Sequence, residues 1–96
     1  MPITTAQRIE FLNRANSARL GIAKVRAEVA SGELPVSRAL WDPRGQSMTL
    51  FALLMSQRNW GRKRTRRLLL GLHIAETKRL SALTERQRRL IADQTG

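Results

Sequence analysis

From Arg58 to Arg67 the chain reads Arg-Asn-Trp-Gly-Arg-Lys-Arg-Thr-Arg-Arg, six basic residues without one acid. On a helical wheel begun at Gly61, that glycine gathers with Thr65, Leu68, Leu69 and Leu72, while Arg62, Lys63, Arg66 and Arg67 project the other way. Arg64 falls at the margin. Such a segment is a surface helix with one side in a core and the other in water or against an anion. A helix N-terminus already carries partial positive charge, so Arg62, Lys63 and Arg64 in the first turn cost about 0.3–1 kcal/mol each. An anion bound at that end removes the penalty, and a nucleic-acid phosphate is the leading candidate. Leu70 sits among the arginines, where it is either exposed or covered by another segment.

The charge is concentrated. Residues 1–46 hold seven Lys/Arg against four Asp/Glu, a net of +3, and residues 47–96 hold eleven against three, a net of +8. An even solvated shell would not divide in this way, and clustered positive charge is the electrostatic footprint of a nucleic-acid binder. The length of 96 residues suits a single domain over 1–96 with a modest core. There is no cysteine and only His73 among the histidines, so no disulfide, metal site or cofactor is expected. No apolar stretch approaches a membrane span and the N-terminus lacks a signal-peptide pattern, which makes the cytoplasm the expected compartment.

The apolar spacing predicts helices throughout. Thr4 and Gln7 can form a capping box that opens a long helix over 5–31, with Ile9, Leu12, Ala15, Ala18, Ile22, Val25 and Val29 on one face. Ser31-Gly32 ends it. Pro35 fits the start of a short helix through Trp41, and Trp41 is expected in the core. Asp42-Pro43-Arg44-Gly45 is a turn by its chemistry. Ser47 is expected to cap a third helix running to about Ser56, burying Leu50, Phe51, Leu53 and Leu54 with Met48 and Met55 as core filling. The cationic helix follows from Gly61 to Leu72, with His73 in the place of a C-cap glycine. Glu76–Leu80 reads as a short helical turn, and Thr84 with Gln87 is a second capping box opening a last helix through Ala92. No segment alternates with period two, so the expected class is all-α.

The connection between the third and fourth helices carries the candidate chemistry. Asn59 tolerates positive φ, Trp60 is aromatic, and Gly61 leaves room for a phosphodiester chain to approach the backbone amides. Arg62, Lys63 and Arg64 would form the cationic rim. Met48-Thr-Leu-Phe-Ala-Leu-Leu-Met-Ser56, Asn59-Trp-Gly-Arg-Lys-Arg64, Leu72-His-Ile-Ala-Glu-Thr-Lys-Arg-Leu80 and Leu83-Thr-Glu-Arg-Gln-Arg88 together resemble the actinobacterial integration host factor family. A looser resemblance covers Gln7-Arg8 through Gly32. The family's turn commonly reads Pro-Gly-apolar-Gly-Lys, so Asn59 replaces a glycine and Trp60 a smaller aliphatic residue. Lys78 and Arg79 occupy a paired-arginine position, whereas Ser81 and Ala82 replace the next Arg and Gly. The chain thus looks like a divergent or phage-borne relative.

The resemblance implies a helix–two-turn–helix core at 47–92 behind the long first helix. It further implies a nucleoid-associated protein that binds double-stranded DNA with little sequence preference and bends or compacts it. Some relatives assist phage integrases. The expected DNA-binding residues are Asn59, Trp60, Gly61, Arg62, Lys63, Arg64, Lys78 and Arg79, with Arg8, Arg14 and Arg19 as candidates for a second surface. Oligomeric state stays open, with a monomer favoured. The rival reading is a small basic helical protein bound to RNA or the ribosome, which would prefer A-form RNA to B-form DNA. An enzyme is not expected. Pro2 lacks the acidic neighbour and strand-rich domain of proline-nucleophile glycosylases, and the seven carboxylates are scattered without a catalytic pair.

Overall fold

The structure, a computed structural model, describes residues 5–95. Among them there are five α-helices and no strand: α1 (Thr5–Ser31), α2 (Val36–Ala39), α3 (Leu50–Met55), α4 (Arg62–Leu72) and α5 (Glu85–Thr95). The all-α expectation holds. Two 3-10 turns, Pro43–Gly45 and Leu80–Ala82, link the helices. Thr4, the expected N-cap of α1, lies outside the described residues.

At 1.5 Å per residue, α1 is about 40 Å long, in a molecule whose principal extents are 47 × 27 × 23 Å. The rest of the fold covers only its C-terminal part. Val25 and Val29 are buried and Ile22 is half-buried, while Ile9 is 54% exposed and Ala18 is exposed. The apolar stripe expected from Ile9 onward therefore does not enter the core along its whole length. Gly21 marks the close approach: a β-carbon there would stand 3.1 Å from the Arg44 carbonyl oxygen. The Arg44 guanidinium then clasps both sides, donating to Glu28 Oε2 at 2.6 Å on α1 and to Asp42 Oδ2 at 2.7 Å in its own turn. Gly32, at φ 86, ends α1.

Leu40, Leu50, Leu53, Leu54, Leu69, Leu80 and Ile91 form the fully enclosed centre, joined from α1 by Val25. Thr49, and not Ser47, caps α3: its hydroxyl accepts from the Ala52 amide at 3.2 Å, and Ser47 stays exposed. The cap lies two residues later because Met48 is drawn inward, its carbonyl accepting from Leu80 N–H at 3.0 Å. The same pairing cuts short the helical turn expected at Glu76–Leu80, which closes only at its start, Lys78 N–H donating to the Ala75 carbonyl at 3.1 Å. Lys78 accepts from Leu50 N–H at 2.8 Å and Arg79 is extended at φ −83, ψ 155, so the 3-10 turn forms later, at Leu80–Ala82. Phe51 is half-buried where full burial was expected.

The capping box at α5 is complete. Gln87 Oε1 accepts from Thr84 N–H at 2.9 Å, and Thr84 Oγ1 accepts from Gln87 N–H at 3.1 Å. The helix continues past Ala92 to Thr95, whose hydroxyl donates to the Ile91 carbonyl. Trp41, expected in the core, is 48% exposed, with the Arg88 guanidinium 4.7 Å from its ring centroid. Arg88 also donates to Gln46 Oε1 and to the Leu80 carbonyl, tying α5 to both 3-10 turns. The indole is thus the outer cover of a polar tie.

Candidate nucleic-acid interface

The chain leaves α3 through a tight, self-bonded connection. Ser56 N–H donates to Ala52 and Leu53, Gln57 N–H to Leu54, and Trp60 N–H to Gln57 at 3.3 Å. Asn59 takes φ 67, the left-handed region that its short amide side chain tolerates better than most. Gly61 is then extended at φ −93, ψ 175 and serves as N-cap of α4 without any side-chain cap. A β-carbon at Gly61 would meet nothing within 4 Å.

The first helical bond of α4 runs from Thr65 N–H to the Gly61 carbonyl at 3.1 Å, and the Thr65 hydroxyl donates to the same oxygen at 2.9 Å. Thr65 is fully buried, which anchors the turn to the core. The amides of Arg62, Lys63 and Arg64 precede that bond and have no intrahelical acceptor. They open beside an exposed glycine, with their own exposed cationic side chains around them. This is the geometry in which a helix terminus receives an anion.

Side-chain pairing sharpens the picture. Arg66 is held by Glu76, Nε to Oε1 at 2.9 Å, so one member of the cationic run is neutralised by a residue ten positions away. Arg62, Lys63, Arg64 and Arg67 have no carboxylate partner among the described residues. Arg64 lies over the Trp60 indole, 4.0 Å from the ring centroid, and Trp60 is half-buried against the core. The cation–π contact restrains both side chains at the mouth of the turn. Leu70 is 76% exposed on the cationic side.

Lys78 and Arg79 lie elsewhere. Their segment pairs with Thr49 and Leu50 at the start of α3, whereas Asn59–Arg64 follows its end. The two groups therefore flank the six residues of α3. Arg79 is exposed and Lys78 half-buried. Arg14 and Arg19 are exposed on α1, and the side chain of Arg8 is outside the described set. His73 caps α4 in the left-handed region at φ 57, ψ 41.

One feature had no signal in the sequence. A groove of about 460 Å³ runs beside α4, lined by Trp60, Arg64, Arg67, Leu68, Gly71 and Leu72 together with Gln94 of α5. Its wheel positions were legible; the arrival of α5 along that side was not. Among the described residues, no three His, Cys, Asp or Glu side chains gather as metal ligands, and no helix is long and apolar enough to cross a membrane.

No family model matches the chain, and no curated protein matches it. A solved structure of sIHF bound to an 8 bp palindromic DNA is similar, with a TM-score of 0.79 at 22% identity over 88% of this chain and 99% of that one. The likeness is one of fold. It extends across nearly all of the sIHF chain.

Proposed function

We infer that the protein is an architectural, nucleoid-associated DNA-binding protein, in which a helix–two-turn–helix core at 47–92 holds the phosphate backbone of a duplex. The observation that carries this reading is the open N-terminus of α4, where three unbonded amides and three unpaired cations meet an exposed glycine. Each cation there is unfavourable for the isolated helix and favourable once a phosphate docks. The likeness to a DNA-bound sIHF supports the choice of duplex DNA among phosphate ligands. Phosphate contacts position a protein without reading bases, so binding with little sequence preference follows.

In this reading Asn59 and Trp60 shape the turn, Gly61 admits the phosphodiester chain, and Arg62, Lys63 and Arg64 grip it. Lys78 and Arg79, set at the other end of α3, extend the footprint and favour a bent duplex. The protein acts by binding, without catalysis, metal or cofactor. It works in the cytoplasm on the nucleoid, with a monomer the favoured form of an open oligomeric state, and assistance to a phage integrase is a further role. An actinobacterial or phage origin accords with the sequence resemblance.

Replacing Arg62 and Arg64 together by alanine tests the assignment in a salt series. The slope of log K against log salt should flatten by about 2, near one unit for each lost phosphate contact, with equal weakening on unrelated duplexes. An unchanged slope removes both residues from the interface.

A further inference from the structure

The groove beside α4 does not need to exist for the fold. Gly71 sits in the last turn of that helix, its backbone is not in the left-handed region, and a β-carbon there would meet nothing within 4 Å. A glycine inside a helix costs about 1 kcal/mol relative to alanine. Neither strain nor crowding explains it; what it does is keep the floor of the groove open. Arg64, Arg67, Leu68 and Gly71 recur at spacings of three and four, so they form one stripe facing that space.

The chemistry of the lining selects an occupant. Leu68, Leu72 and the Trp60 indole offer an apolar floor, Arg64 and Arg67 a cationic wall, and Gln94 one amide from α5; no carboxylate lines it. A bare phosphodiester chain gains nothing from two leucines. A second copy of this chain would bring another net +11 to a cationic wall. An apolar side chain flanked by carboxylates satisfies both halves at once.

We propose that this groove docks an acidic, leucine-type peptide segment of a partner protein, whose apolar side chain enters over Gly71 while its carboxylates pair with Arg67 and Arg64. The site is distinct from the amides at the α4 N-terminus and does not rest on the DNA reading. Because Arg64 borders both, a docked peptide competes for one cation of the phosphate grip.

The test is fluorescence anisotropy with a short labelled peptide carrying one leucine between pairs of glutamates. Control peptides replace the leucine by serine or the glutamates by glutamine. Wild-type protein should bind the acidic leucine peptide and lose about tenfold or more in affinity for each control, the scale of one buried leucine side chain or one charged hydrogen bond. Gly71→Leu fills the floor and raises helix propensity, so it should weaken the peptide by a similar factor with no loss of thermal stability. Arg67→Gln should weaken the peptide likewise, while Gly71→Leu keeps wild-type affinity for duplex DNA. Equal peptide affinity in Gly71→Leu overturns the proposal, as does failure of wild-type protein to bind the peptide. Parallel loss of duplex and peptide binding in Gly71→Leu overturns it too, and assigns the groove to the nucleic-acid interface.

Discussion

His73 ends α4 at φ 57, where a residue with a β-carbon is strained by about 1–2 kcal/mol. Its amide donates to Leu70 and the next amide, of Ile74, to Leu69, so the backbone closes the helix whatever the side chain. His73→Gly should therefore raise stability by about 1 kcal/mol in urea unfolding; a drop would mean that the imidazole itself holds the corner. Gly61 is the opposite case. Its extended backbone suits any residue and its β-carbon position is empty, so the fold tolerates a side chain there at roughly the 1 kcal/mol cost of a poorer N-cap. Gly61→Val should leave helix content by circular dichroism intact while weakening duplex binding by about tenfold or more, the scale of a lost charge-assisted hydrogen bond. Loss of the helical signal instead would make Gly61 a structural residue. Asn59 and His73 were both legible as left-handed positions because few residue types sit there cheaply. Arg88 was not, since its partners Gln46 and Leu80 are fixed by packing far along the chain.

At the level of elements, α1 is joined to the core through the turn at Pro43–Gly45. The Arg44 guanidinium hydrogen-bonds Asp42 and holds its carboxyl below the usual carboxylate range, the coulombic attraction adding to the effect. A lowered folded-state value stabilises the fold above the ordinary carboxylate pKa, and that contribution is lost as pH falls through the folded value. The stability difference between wild-type protein and Asp42→Asn should thus shrink as pH falls from about 5 toward 2. A difference that stays constant over that range would detach Asp42 from the joint. Local signals read well at this scale: the box at Thr84 and Gln87 needs only four consecutive residues, and both of its bonds form. Glu76–Leu80 misled because its backbone is claimed by Met48 and Leu50, which no local pattern announces. Ile9 misled for a different reason. Periodicity shows which residues share a helix face but not how far the neighbouring elements extend along it, and here they stop short.

Across the whole molecule the positive charge is polarised, with +8 of the net +11 in residues 47–96. It is displayed at two ends of α3, by Arg62, Lys63 and Arg64 after it and by Lys78 and Arg79 against its start. The cationic turn was legible because sequence-adjacent residues build it. The separation of the second group was not, as it depends on the pairing of Arg79 with Thr49. B-form DNA and A-form RNA duplexes differ in groove geometry, so the choice between them tests the proposed function. The most direct measurement is a fluorescence-anisotropy titration of the protein with a short DNA duplex and its RNA counterpart across a salt series. Tighter binding to DNA, with affinity falling steeply and linearly in log salt on unrelated sequences, is the predicted result. Preference for the RNA duplex would contradict it in favour of an RNA-bound protein, and absence of binding to either at low salt would leave the Arg58–Arg67 run a solvated face.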